Sequence, residues 1–93
     1  MSKTERQIAD AVRAERFAIS SHAADRLLER DVEIWQIIDG FDRGETVSID
    51  PKAMPNPKIL RRQLLADGIE IVAVWSYDRA ARVAKLVTIY FED

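Results

Sequence analysis

A chain of 93 residues that is 47% hydrophobic and 32% charged is read as one globular domain, too small to divide into two and too apolar to be disordered. With no cysteine it cannot hold a disulfide framework, a thiolate zinc site or a cysteine nucleophile. A formal net charge of −2 counts against bulk nucleic-acid binding, which draws on a basic surface, and leaves only a local cationic patch for that purpose.

The sequence calls for no cofactor. A single histidine and no acidic cluster at ligand spacing leave no basis for a metal site. The polar start Met-Ser-Lys-Thr-Glu-Arg has no apolar signal region, and no apolar run approaches the ~20 residues that span a bilayer. The expectation is a soluble, cytoplasmic protein with no membrane partner. So small a core makes a homodimer a natural supplement.

Ser2-x-x-Glu5 has the form of a capping box, with Ile8, Ala11 and Val12 at helical spacing behind it, and predicts a first helix over 3–15. Phe17-Ala18-Ile19 reads as a brief strand. Ser20 or Ser21 then caps a second helix that ends near Arg30-Asp31. Its apolar edge is read as Ala24, Leu27 and Leu28. Ile34, Ile37, Ile38 and Phe41 fit the helical template over 33–43, with Gly44 at the position of a left-handed cap.

After Gly44 the period becomes two. Glu45 to Asp50 alternates, and a loop with all three prolines follows over 51–57. Segments 58–66, 69–77 and 83–91 read as strands, and Asp67-Gly68 is the tight turn between the first two of them. The predicted architecture is α+β, with about three N-terminal helices on one face of an antiparallel sheet of about four strands. The expected core comprises Leu27, Leu28, Ile34, Ile38, Phe41, Val74 and Leu86. Trp35 and Trp75 are expected to be core or interface anchors.

The second helix also carries the candidate chemistry. His22, Arg26 and Arg30 follow at i, i+4 steps, each advancing roughly 40° around the axis, so they form one drifting stripe. An imidazole followed by two permanent cations suits a phosphate-bearing ligand. The bland alternative is a solvated stripe paired with Asp25, Glu29 and Asp31. Arg61 and Arg62 are adjacent in a strand and point to opposite faces, so at most one can join the stripe. On the last strand simple alternation puts Ala84, Leu86, Thr88 and Tyr90 on one face, where two hydroxyls could meet a groove.

The run Ser20-x-His22-Ala23-x-x-Arg26-x-x-x-Arg30, the Ile-rich helix, Gly44, the proline loop, Asp67-Gly68 and Val87-Thr88-Ile89-Tyr90 resemble a family of small bacterial domains of unknown function. That family is typified by a Ser-x-His-Ala-x-x-Arg-x-x-x-Arg segment and a closing Thr-x-Tyr. It is similar in fold to RelE/ParE-type toxins of toxin–antitoxin pairs. The resemblance covers residues 17–91 and leaves the N-terminal helix, residues 1–16, outside. Asp31 stands where the family often has glycine, and Glu33 where it often has serine or threonine.

The resemblance implies an RNA-cleaving toxin with RNA and a cognate antitoxin as partners. His22 would act as base or acid, Arg26 and Arg30 would hold the scissile phosphate, and Tyr90 or Thr88 would assist. The alternative is a non-enzymatic binding or structural module whose His22, Arg26 and Arg30 form internal or partner-facing salt bridges.

Overall fold

The structure, a computed structural model, describes residues 2–91. Ser2 caps helix α1 (Lys3–Arg13) as the sequence suggests. Its hydroxyl accepts from the Glu5 N–H at 3.1 Å, and Thr4, Ile8, Ala9, Ala11 and Val12 form the buried stripe behind it. Strand β1 (Phe17–Ile19) leads into α2 (Ser21–Glu29), and α3 (Ile34–Gly40) follows. Then come β2 (Glu45–Asp50), β3 (Lys58–Leu64), β4 (Glu70–Asp78) and β5 (Val83–Phe91).

Helices α1 and α2 end alike. Beyond α1, Glu15 takes φ +60° while the Glu15 and Arg16 N–H groups donate to the Val12 and Ala11 carbonyls. Beyond α2, Asp31 takes φ +56° while Asp31 and Val32 donate to Leu28 and Leu27. Both are Schellman closures, which normally place glycine at the left-handed position. Asp31 occupies that position in α2.

Helix α3 is shorter than the periodicity predicts, and Gly44 is not a left-handed cap. Among the described glycines only Gly68 has positive φ, at +87°. Gly40 and Gly44 serve close approach instead. A Cβ on Gly40 would lie 2.9 Å from the Leu64 carbonyl oxygen, and one on Gly44 would collide with that of Arg62. The backbone leaving α3 therefore presses directly on β3.

The sheet corrects the strand count and its sense. Five strands run in the order β1-β5-β4-β3-β2, and β1 pairs parallel to β5, with Phe17, Ala18 and Ile19 opposite Ala84, Lys85 and Leu86. No hairpin joins these two strands, so no turn dictates an antiparallel pair. The Asp67-Gly68 hairpin does join adjacent antiparallel strands, β3 and β4, with the Gly68 N–H bonded to the Leu65 carbonyl at 2.9 Å.

One buried cluster unites the three helices with a single sheet face. Ile8, Ala11, Ala23, Leu27, Ile37 and Phe41 meet Ile59, Ile71, Ala73, Trp75, Tyr77, Ala84, Leu86 and Ile89. Ile34 and Ile38 pack at its margin. Leu28 is a correction. It is 83% exposed, because α2 turns Ala23 and Leu27 inward rather than Leu27 and Leu28. Trp75 is buried and meets Phe41 edge to face at 5.7 Å, whereas Trp35 is exposed. Val74 is buried, but on the other face of the sheet.

Candidate functional site

Helix α2 owes its position to Ser20. The Ser20 hydroxyl accepts from the Ala23 N–H at 2.9 Å and donates to the Val87 carbonyl at 2.7 Å, while the Ser20 N–H donates to the Leu86 carbonyl. The helix start is thereby fastened to β5, and Ala23 and Leu27 are pulled into the core. What remains outward includes the predicted stripe. His22 is exposed, Arg26 is half-buried, and Arg30 is the C-cap residue.

Among the described residues the stripe is only lightly engaged. Arg26 reaches Glu29 at 3.5 Å, an exposed i, i+3 pair of small energetic weight. Arg30 places its guanidinium 4.8 Å from the centre of the Phe91 ring, a cation–π contact at the end of β5. No hydrogen bond or ion pair engages His22 among the described residues. The helix thus presents an imidazole and two cations in line on its surface.

Thr88 and Tyr90 do not join them. The β4–β5 register shifts between Val74 and Trp75, with Trp75 opposite Leu86 and Val74 opposite Thr88. Val87 is the extra residue of a β-bulge, and an extra residue reverses the alternation beyond it. Cross-strand partners share a face, so Ala84, Leu86 and Ile89 look toward the helices. Thr88, opposite Val74, and Tyr90, opposite Val72, look away from them. Simple alternation on β5 fails at that bulge.

Arg61 and Arg62 do point to opposite faces. Arg61 is a structural cation. It donates to the Phe41 carbonyl at 2.8 Å, the Gly44 carbonyl at 3.0 Å and the Thr46 hydroxyl at 2.9 Å, and its guanidinium lies 4.4 Å from the Phe41 ring centre. Burial lowers its proton affinity, partly offset by Glu5 at 4.0 Å. An arginine still remains charged at any physiological pH. Arg62 bonds Glu45 at 3.1 Å and Glu70 at 2.9 Å on the helix-free face. Neither arginine extends the α2 stripe.

The helix-free face was not legible as a unit. Its rows, set by register, are Asp50-Lys58-Ser76-Lys85, then Ser48-Leu60-Val74-Thr88, then Glu45-Arg62-Val72-Tyr90. The alternation of β3 placed Lys58, Leu60 and Arg62 together, but bulges in β2 and β5 decide what stands beside them. Among the described residues no group of three or more acidic or histidine side chains could hold a metal ion. Among the described residues no helix is long and apolar enough to cross a membrane.

No curated protein and no solved structure matches the chain. Residues 19–91 match the model of a family described as Domain of unknown function (DUF4258), a span that opens at the end of β1, takes in the whole α2 stripe and closes with β5. Helix α1 lies outside the match although its Ile8 and Ala11 are fully buried in the common core. The chain belongs to this DUF4258 family of domains of unknown function.

Proposed function

We propose that this protein is a toxin-like domain that acts on RNA through the α2 stripe, with His22 as the proton-transferring group and Arg26 and Arg30 as phosphate ligands. The observation that supports it is the exposure of His22 in line with two cations that, among the described residues, no buried carboxylate neutralises. The layering of three helices on one sheet face agrees with the resemblance to RelE/ParE-type toxins. Thr88 and Tyr90 lie across the sheet from the helices, so this reading assigns the first contact with RNA to α2 alone. A cytoplasmic location and a protein partner of the antitoxin kind go with it.

A second reading has its own support. Arg26 has Glu29 and Arg30 has Phe91, which suits a stripe that docks carboxylates of a partner protein and performs no chemistry. Incubation of purified protein with RNA separates the two. Cleavage lost in His22→Ala at an unchanged melting temperature supports the nuclease. Wild-type protein that neither cleaves nor retains RNA overturns the RNA reading in favour of the protein-docking one.

A further inference from the structure

On the helix-free side of the sheet, β3, β4 and β5 carry Lys58, Ser76 and Lys85 in one register row, with Ser76 between the two lysines. The proline loop curls over this end. Met54, Pro55 and Asn56 close a cavity of about 270 Å³ with Lys58, Ser76, Lys85, Val87 and Ser20. We propose that this cavity is a binding site for a phosphate-bearing small molecule, held by Lys58 and Lys85 with the Ser76 hydroxyl between them.

Three observations carry the assignment. First, neither lysine ammonium has a hydrogen-bond or ion-pair partner among the described residues, although the protein as a whole is acidic. Asp50 and Asp78, which share this sheet face, form an ion pair with neither lysine. Asp50, opposite Lys58, accepts from the Lys52 N–H at 3.2 Å, and Asp78, two residues beyond Ser76, accepts from the Ala80 and Ala81 N–H groups at 3.1 Å.

Second, the geometry suits one shared anion. In-register neighbours sit about 5 Å apart at Cβ, so ammonium groups on four-carbon stems can converge over Ser76 from both sides. Two like charges brought there repel, and a doubly charged phosphate turns that repulsion into attraction. Third, the donors are unspent among the described residues. Ser76 is buried and its hydroxyl bonds to none of them, while Asn56 engages only its carbonyl oxygen, accepting from the Arg79 N–H at 3.5 Å. Met54, Pro55 and Val87 supply an apolar wall, which favours a phosphate ester over the bare ion.

The site is independent of the α2 stripe. Titration of the intact protein with inorganic phosphate and with phenyl phosphate, followed by amide chemical shifts of Asn56, Ser76 and Lys85, tests it. Saturable shifts at the cavity are expected, separate from any that the same titration causes at Arg26 and Arg30. Lys58→Met and Lys85→Met should each weaken binding at the cavity about tenfold, and Arg6→Met, at an exposed cation of α1, should leave it unchanged. Tighter binding of phenyl phosphate identifies the apolar wall as part of the site, and equal binding assigns recognition to the phosphate group alone. Shifts that never saturate, or affinities equal in wild type and both lysine variants at normal melting temperature, overturn the proposal. RNA binding that fails while phosphate binding persists would retire the α2 reading and leave this one standing.

Discussion

The Ser20 hydroxyl donates to the Val87 carbonyl at 2.7 Å, joining the first residue before α2 to the extra residue of the β5 bulge. The same oxygen caps α2 through the Ala23 N–H. Helix start and strand irregularity are therefore one device, and the leading serine of the Ser-x-His-Ala segment is its hinge pin. Ser20→Ala should destabilise the fold by about 1–3 kcal/mol, the sum of a lost cap and a carbonyl left without its donor. Denaturant unfolding measures it, and a loss no larger than that of His22→Ala would show the tie to be incidental.

The two Schellman closures give a prediction of opposite sign. Glu15 and Asp31 hold left-handed φ with a side chain present, a conformation that costs L-residues energy and that aspartate tolerates better than glutamate. Glu15→Gly and Asp31→Gly should each stabilise by roughly 0.5–1 kcal/mol, with the larger gain at Glu15. Urea midpoints that rise at constant slope would show this. A fall in either midpoint would mean that the side chain stabilises the fold through a contact that outweighs its backbone strain.

Helix α3 separates two neighbouring isoleucines that periodicity treated alike. Ile37 is fully buried, while Ile38 packs at the core margin. Ile37→Ala should cost about 2–5 kcal/mol, and Ile38→Ala about half as much, since half-buried methylenes lose less on removal. Equal losses, read from thermal unfolding, would mean that the helix is rotated from the position described.

These comparisons show what the chain made legible. The change of period at Gly44 separates helices from the main strands correctly, because each element beyond it obeys alternation over at least part of its length. Local spacing also found the Ser2–Glu5 cap, the Asp67-Gly68 turn and the divergence of Arg61 from Arg62. Its failures share one cause. The bulge at Val87, the parallel β1–β5 pair and the close approach at Gly40 and Gly44 are all decided by residues far away in sequence. A one-residue bulge costs nothing visible in composition yet moves Thr88 and Tyr90 to the other face.

Gln63 is another such long-range feature. Its amide donates to the Ile37 carbonyl at 2.7 Å and accepts from the Trp75 indole N–H at 3.1 Å, in a buried position on β3. Gln63→Leu leaves both partners unpaired and should cost roughly 2–5 kcal/mol. Trp75→Phe in that background removes one of the orphaned groups, so the double variant should lose less than the two single losses added. A double-mutant cycle checks this, and strict additivity would argue that water takes over from the amide.

The α2 stripe yields the last prediction. If Arg26 contacts an RNA phosphate, Arg26→Ala should weaken RNA binding to the same degree for every sequence and reduce the slope of log affinity against log salt by about one. Its stability should change little, because the Arg26–Glu29 pair at 3.5 Å is exposed and contributes at most ~1 kcal/mol. If instead the helix docks a protein, RNA affinity and its salt slope should be the same for wild type and variant. Arg30 offers an internal comparison. Its cation lies over Phe91, so Arg30→Ala should lower both the salt slope and the melting temperature, the latter through the lost ring contact. Measuring salt slope and melting temperature on both variants therefore separates a cation that serves the ligand from one that also serves the fold. Slopes unchanged in both would end the case for α2 as an RNA-binding surface.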